Sequence, residues 1–168
     1  MKIYLDFDGV ILDTDSVIYR EYVKIPGMDR REFAKSYDWF KLMDDELIIH
    51  DSLDMIKNSK YEITLLSKIS TMNEGQAKIK YLRSKDIDIN INLVPVGINK
   101  CDAVKASGNV LIDDKVVNLD TWNDKGGIAI YFNKDNSDID IHGDINPGYS
   151  MISDLRCLVD GIDIVLKK

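Results

Sequence analysis

The stretch IYLDFDGV, residues 3–10, runs from a short apolar strand into two carboxylates and a glycine. Asp6 and Asp8 are two residues apart, and side chains at that spacing on a strand point the same way. We therefore expect both carboxylates in one site at the carboxyl end of the strand, which is where open α/β sheets bind ligands. Paired carboxylates repel each other unless a cation or a shared proton offsets their charge. A structural role at the turn that contains Gly9 would explain the pair about equally well.

More short apolar runs, rich in β-branched or aromatic residues, follow the first strand and alternate with helical stretches. The runs cover 61–66, 91–94, 110–112 and 128–132, and the predicted helices cover 73–84 with Asn73 as cap, 100–106 and 115–124. Because parallel neighbours need a crossover connection, this alternation predicts an α/β fold: a Rossmann-like parallel sheet with helices on both faces. After the fifth strand we expect a long polar loop over 133–149, a helix from Ser150 to about Val159 and an edge strand over 162–166.

Residues 14–58 do not fit this alternation. The segment lacks a good strand, is rich in charge and contains several aromatic residues. We interpret it as a small helical cap inserted after the first strand, with its last helix over 45–56. The predicted domains are therefore an α/β core formed by 1–13 and 59–168, and a cap formed by 14–58.

The amino-acid composition excludes some classes of protein and some classes of binding partner. A chain of 168 residues that is 45% hydrophobic supports one packed domain and excludes disorder as its main state. The net charge of −7 argues against long nucleic acids as partners, because these require clustered Lys and Arg. Cys101 and Cys157 form no disulfide framework, Asp6 interrupts any signal-peptide core, and no apolar run reaches the roughly 18 residues of a membrane span. We expect a cytoplasmic monomer or homodimer without membrane contact.

A second acid pair, Asp113-Asp114, follows the apolar run at 110–112. Four carboxylates gathered at the ends of two strands are unfavourable without a metal, and hard oxygen ligands favour Mg²⁺ over zinc. Between the two acid pairs, Ser67 follows a strand and Lys100 opens a helix. The chain therefore supplies an acid pair, a hydroxyl, a cation and a second acid pair, each where a strand meets a loop.

This order and spacing resemble the haloacid dehalogenase superfamily of phosphotransferases, over about 2–13 and 61–132. The matching motifs are Asp6-Phe7-Asp8-Gly9-Val10 for DxDGT/V, Ser67 for the second motif, Lys100 (with Lys105 competing) for the third, and Asp113-Asp114 for the fourth. Within the superfamily, residues 111–118 are similar to the DDRPxN stretch of 5'(3')-deoxyribonucleotidases, with Lys115 and Val116 replacing the arginine and the proline. The predicted cap is shorter than is usual in that family.

The resemblance implies a role for each matching residue. Asp6 would be the nucleophile and Asp8 the general acid and base, while Ser67, Lys100 and the amide near Gly9 would hold the phosphoryl group. The metal Mg²⁺ would be held by Asp6, the Asp8 backbone carbonyl, Asp113 and Asp114. Trp39 and Phe40 could stack on a nucleobase, and packing of the cap onto itself is the alternative reading.

The expected function is that of a Mg²⁺-dependent phosphatase acting on a small phosphomonoester through an aspartyl-phosphate. A (deoxy)nucleoside monophosphate is the first choice of substrate; sugar phosphates and other small metabolites are the alternative. A phospho-accepting signalling module, such as a response-regulator receiver, is disfavoured. In receivers two adjacent acids usually follow the first strand, whereas here the spaced pair comes first and the adjacent pair comes late.

Overall fold

The core is a sheet of parallel strands, seen in a computed structural model that describes residues 1–137 and 148–166. The strands are β1 (Ile3–Leu5), β2 (Ile63–Ile69), β3 (Asn90–Pro95), β4 (Val110–Asp113), β5 (Ile128–Phe132) and β6 (Ser150–Ile152). Their spatial order is β3-β2-β1-β4-β5-β6, and every neighbouring pair is parallel. The chain winds outwards in opposite directions from β1 and β4. The carboxyl ends of these two strands therefore flank the crevice where doubly wound sheets bind ligands.

Short helices connect strands of the sheet and follow its last strand. They are α1 (Thr14–Tyr22), α2 (Arg30–Ser36), α3 (Ser52–Lys57), α4 (Met72–Ser84), α5 (Lys100–Ala103), α6 (Val116–Asp124), α7 (Cys157–Asp160) and α8 (Asp163–Leu166). Two 3₁₀ helices, Trp39–Leu42 and Asp45–Leu47, lie between α2 and α3. Among the described helices, none is long and apolar enough to cross a membrane.

The pleat of β1 divides the core into two apolar layers. Ile3 and Leu5 face a large cluster, whereas Tyr4 faces a second cluster built around the fully buried Trp122. The Trp122 indole donates a hydrogen bond to the Asn109 carbonyl at 3.1 Å, so its one polar group is satisfied inside the core. Because side chains alternate along each strand, both faces of the sheet are buried, as an α/β fold requires.

Residues of α1, α2 and the first 3₁₀ helix form, together with Ala77 of α4, a third, smaller apolar cluster around Phe33 and Trp39. By contrast, Leu53 and Ile56 of α3 pack into the large cluster of the core. The two chain crossings between these regions lie side by side, since Leu12 and Ile48 form an antiparallel bridge. The division into a core of 1–13 and 59–168 and a cap of 14–58 stays a prediction. We call residues 14–58 the cap segment below.

The five predicted strands are confirmed, but the end of the chain was predicted wrongly. Ser150 begins strand β6, paired with β5, instead of a helix, and the predicted edge strand over 162–166 contains helix α8. Most of the predicted loop at 133–149, namely 138–147, lies outside the described residues.

Predicted helices also differ in their bounds, and the one over 100–106 ends at Ala103. The predicted helix over 45–56 is split, because His50 and Asp51 adopt left-handed φ angles of 43° and 57° that no α-helix accommodates. Helix α4 is capped by Thr71, whose hydroxyl accepts from the Glu74 amide at 3.2 Å, and not by Asn73. The Asn73 side chain instead accepts a hydrogen bond from the Trp39 amide at 3.0 Å and so ties α4 to the cap segment.

Candidate active site

The loop after β1 presents Asp6 and Asp8 at the edge of the sheet. The backbone turns sharply here, since the Phe7 carbonyl accepts hydrogen bonds from the amides of Ile11 and Leu12 at 2.9 and 3.2 Å. Gly9 has a φ angle of +75°, and a Cβ at this position would lie 2.2 Å from Oδ2 of Asp114. The turn therefore needs glycine for two reasons: its left-handed backbone and its close approach to the second acid pair.

Asp113 ends β4 directly beside β1, and its carboxylate is held by its own loop. Oδ1 accepts from the Lys115 amide at 2.9 Å and from the Asn118 side chain at 3.1 Å. Carboxylate oxygens of Asp6, Asp113 and Asp114 lie within 4.8 Å of one another, and all three side chains are buried. We refer to these three residues as the acidic cluster. An all-oxygen donor set of this kind suits a hard cation such as Mg²⁺.

Lys100 supplies the positive charge of this cluster from the first position of α5. Its fully buried ammonium lies 3.0 Å from Oδ1 of Asp6 and 2.6 Å from Oδ2 of Asp113. Burial lowers the pKa of an ammonium, but the two carboxylates more than offset this, so the pKa of Lys100 lies above its ordinary value. The competing candidate, Lys105, is exposed to solvent. Of the two lysines, the structure brings Lys100 to the carboxylates.

Asp6 is ready to act as an anion. Burial would raise the pKa of its carboxyl, but the neighbouring ammonium groups, foremost that of Lys100, more than offset burial and hold the pKa below its ordinary value. Asp113 has the opposite balance: burial outweighs the attraction of Lys100, and its pKa is raised. The pKa values of two carboxyls in one cluster are thus shifted in opposite directions, a pattern common at functional sites.

Asp8 and Ser67 meet at a second buried lysine, Lys78. The Asp8 carboxylate accepts from the Thr14 hydroxyl at 2.6 Å through Oδ1 and from the Lys78 ammonium through Oδ2. The Ser67 hydroxyl, fully buried in β2, lies 3.1 Å from the same ammonium. Glu74, four residues before Lys78 on α4, accepts from it at 2.7 Å. The sequence-predicted acid and hydroxyl are therefore joined by a residue that sequence reasoning missed.

A cavity of about 440 Å³ opens over these groups, between the sheet edge and the cap segment. We call it the cleft. The side chains of Asp6 and Asp8 lie at its core side, and its cationic lining consists of Arg30, Arg31, Lys68 and Lys115. Two of these cations share one carboxylate, since Asp15 pairs with Lys115 at 2.7 Å and with Arg30 at 3.3 Å. The cleft thus combines an anionic floor with cations on both sides.

No protein-family model and no curated protein matches the sequence. Solved structures do match the fold. The fold is that of the haloacid dehalogenase-like hydrolases.

The matched structures share this fold at low sequence identity. D,D-heptose 1,7-bisphosphate phosphatase from Burkholderia thailandensis is 15% identical, with all of both chains covered and a TM-score of 0.58. A haloacid dehalogenase-superfamily hydrolase from Ehrlichia chaffeensis is 11% identical, with 98% of this chain and 97% of that chain covered and a TM-score of 0.57. A subfamily IA hydrolase from Geobacter sulfurreducens is 12% identical over 95% and 98% of the two chains, with a TM-score of 0.56.

On this haloacid dehalogenase-like fold, the two aromatic residues predicted near the base of a nucleotide lie in different surroundings. Trp39 is 4% exposed and lines the cleft, while its indole donates to the Ala34 carbonyl at 2.9 Å. Phe40 is 40% exposed, lies near the Lys80 ammonium and does not line the cleft. The structure therefore brings only Trp39 to the site, and it does so as a packed side chain.

Sequence reasoning gave Lys78, Asp15 and Lys115 no role at the site. For Lys78 a signal was present: Glu74 and Lys78 precede the buried Leu82 at four-residue spacing, which places charges on an inward-facing stripe of the helix. Lys115 was seen only as a replacement for the arginine of a motif. Its pairing with Asp15 across the cleft depends on where the cap segment lies, which no local pattern records.

Proposed function

We propose that the protein is a Mg²⁺-dependent phosphatase that hydrolyses a small phosphomonoester through an aspartyl-phosphate. The observation that carries the proposal is the Asp6 carboxylate at the carboxyl end of β1, ionised by Lys100 and adjacent to Asp113. A (deoxy)nucleoside monophosphate is the first choice of substrate. We also propose that the protein is cytoplasmic and acts as a monomer or homodimer, without a nucleic-acid or membrane partner.

The residues present fit the metal. The acidic cluster carries three negative charges, of which Lys100 offsets one, so a divalent cation would offset the other two. The side chains of the cluster and the Asp8 backbone carbonyl would hold Mg²⁺. When bound, the ion would neutralise charge on the phosphoryl oxygens of the substrate.

In the first half-reaction, an Asp6 carboxylate oxygen forms a bond to phosphorus as the bond between phosphorus and the ester oxygen breaks. The bonding electrons leave with the ester oxygen, which takes a proton from the Asp8 carboxyl. In the second half-reaction, Asp8 takes a proton from water as the water oxygen bonds to phosphorus. The Asp6–phosphorus bond then breaks, so that inorganic phosphate leaves and Asp6 is again a carboxylate.

The remaining cations stabilise the group being transferred. Lys100 is fixed between two carboxylates before substrate arrives, so its charge needs no reorganisation during the reaction. The Lys68 ammonium forms no ion pair or side-chain hydrogen bond within the described residues and is half-buried in the cleft lining. Burial and the nearby Lys100 lower its pKa, as expected for a cation that an incoming phosphate would compensate.

A phosphatase for sugar phosphates or other small metabolites is the second candidate. The cleft volume of about 440 Å³ suits a small ligand. Its lining is polar, with four cationic and five acidic side chains, and its aromatic side chain is the packed Trp39, with Phe40 outside. This lining favours a polar substrate over one bound through a large stacked base. One structure with the same fold is named as a phosphatase of a heptose bisphosphate.

A substrate panel with purified protein tests both candidates. We expect phosphate release from monoesters with Mg²⁺ and none after chelation, and Asp6→Asn should abolish turnover because an amide is not a nucleophile. The matched control is Asp124→Asn. Asp124 is exposed at the end of α6, near the amino ends of the strands and not their carboxyl ends. Turnover in Asp6→Asn would contradict the nucleophile assignment, and a phospho-aspartate that persists for hours would favour a signalling module.

The same panel separates the two substrate classes. If a nucleobase binds near the first 3₁₀ helix, Phe40→Ala and Trp39→Phe should raise KM for nucleotides. The KM for p-nitrophenyl phosphate should stay nearly unchanged. Equal losses on both substrates would assign these side chains to packing of the cap segment. Higher kcat/KM for sugar phosphates than for every nucleotide would favour the second candidate.

A further inference from the structure

Lys78 is an ammonium buried in the middle of a helix beside the site. Its side chain is fully buried, and its nitrogen lies within hydrogen-bonding distance of four acceptors from three parts of the chain. These acceptors are Oδ2 of Asp8, Oε1 of Glu74 at 2.7 Å, Oγ of Ser67 at 3.1 Å and the Lys68 carbonyl at 3.2 Å. The same nitrogen lies 5.1 Å from the centre of the Trp39 ring, so the cap segment covers it.

Packing alone gives no reason for a lysine at this position. Buried ion pairs are commonly replaced by apolar residues of similar volume without loss of stability. Here the ammonium lies within hydrogen-bonding distance of two carboxylates, those of Asp8 and Glu74. What an apolar side chain could not do is hold Asp8 and Ser67 at a fixed separation and orientation.

The lysine is itself held in place from the helix. Glu74 accepts from the Ser70 amide at 2.7 Å through one carboxylate oxygen and from Lys78 through the other. The Ser70 amide belongs to the backbone directly after β2. Through Glu74, this backbone fixes the position of the Lys78 ammonium relative to the sheet. A chain of contacts therefore runs from backbone to Glu74, from Glu74 to Lys78 and from Lys78 to Asp8.

We propose that Lys78 is a positioning residue that aims the Asp8 carboxyl at the leaving oxygen of the substrate and fixes the Ser67 hydroxyl beside it; this rests on the proposed function. Thr14 contacts one Asp8 oxygen and Lys78 the other, so the two bonds together define the plane of the carboxyl. With the Lys78 bond removed, Asp8 rotates about its single remaining partner. Proton transfer to the leaving group is then impaired, whereas attack by Asp6 is not.

Leaving-group dependence is the readout that separates positioning from structure. The quantity kcat/KM covers the steps up to transfer of the phosphoryl group to Asp6, and a poor leaving group needs its proton more than a good one does. We expect Lys78→Met to lower kcat/KM about tenfold for p-nitrophenyl phosphate and about 10²- to 10³-fold for alkyl phosphates, within the usual range for acid catalysis. Lys78→Arg, which retains a cationic donor, should recover part of the loss.

Three comparisons make the test decisive. Lys80→Met, on the exposed side of the same helix, should behave as wild type. Glu74→Gln should show the same leaving-group signature at a smaller size, and it keeps the proposal testable if Lys78→Met does not fold. In an Asp8→Asn background, Lys78→Met should add no leaving-group dependence, because the group it positions can no longer donate a proton.

A uniform loss across all leaving groups, or no loss, in both Lys78→Met and Glu74→Gln would overturn the proposal. Those outcomes are distinguishable from failure of the proposed function. If wild-type protein releases phosphate and Asp6→Asn does not, the proposed function stands whatever Lys78 does. If wild-type protein hydrolyses no phosphomonoester, the proposed function fails, and the positioning role fails with it.

Discussion

Replacement of Gly9 by alanine should damage the site through the contact between the two acid loops. The φ angle of +75° is unfavourable for an L-residue by about 1–2 kcal/mol. In addition, the new Cβ would lie 2.2 Å from Oδ2 of Asp114, so that this carboxylate must move. For a chain of this size, the backbone effect alone corresponds to a fall in Tm of about 2–8 °C.

The second effect falls on the proposed Mg²⁺ site, because Asp114 belongs to the acidic cluster. Disturbing the support of a metal ligand typically weakens metal affinity by about 10- to 100-fold. We expect that loss for Gly9→Ala, measured as the Mg²⁺ concentration at which Tm begins to rise. The same titration followed by phosphatase activity should give the same shift.

Gly108→Ala is the matched control for this prediction. Its φ angle is +73°, but a Cβ there meets nothing within 4 Å. It should therefore lose the same 1–2 kcal/mol or so from backbone strain and retain wild-type Mg²⁺ affinity. If the two variants bind Mg²⁺ equally well, the inference that the Gly9 turn sets the position of a metal ligand is refuted.

Two further predictions concern buried ionisable groups. Lys100→Met should lower the free energy of unfolding by about 3–5 kcal/mol, because it leaves buried carboxylates without their cation; urea denaturation measures this, and exposed Lys105→Met should stay within about 0.5 kcal/mol of wild type. Burial raises the pKa of the Cys157 thiol from 9.0 to about 11, so the unfolded thiol ionises first as pH rises and stability should fall between pH 9 and about 11. The slope attributable to Cys157 is at most about 1.4 kcal/mol per pH unit, and Cys157→Ala should remove it; equal slopes in the two proteins would contradict this prediction.

The acidic cluster could be predicted from sequence because it depends on two local patterns. Apolar runs that end in acids locate the strand ends, and parallel pairing brings the carboxyl ends to one edge. Asp6 and Asp113 therefore meet without any knowledge of side-chain packing. The choice between Lys100 and Lys105 was harder, since both follow the same strand, and burial of α5 decides it.

The remaining features depend on contacts distant in sequence. The periodicity of α4 places Lys78 on its buried stripe, but the sequence does not record that its ammonium meets Asp8, a residue 70 positions away in the chain. The interruption at His50 has a similar cause: the amide of Ile49 donates to the Ile11 carbonyl at 3.0 Å, which fixes the backbone against helix formation. Ser150 joins the sheet because β5 offers an unpaired edge, a tertiary effect that overrides local propensity.

The bridge between Leu12 and Ile48 bears on how the segment between these residues can be lengthened or replaced. Paired Cα atoms across an antiparallel bridge are about 4.5–5.5 Å apart, so the ends of the intervening segment lie next to each other. Segments with adjacent ends can be lengthened, exchanged or replaced by a tight turn with little effect on the fold that carries them. The cleft lining that this segment supplies, such as Arg30 and Trp39, could therefore be recombined as a single cassette, while the loops that carry Asp6 and Asp113 stay unchanged.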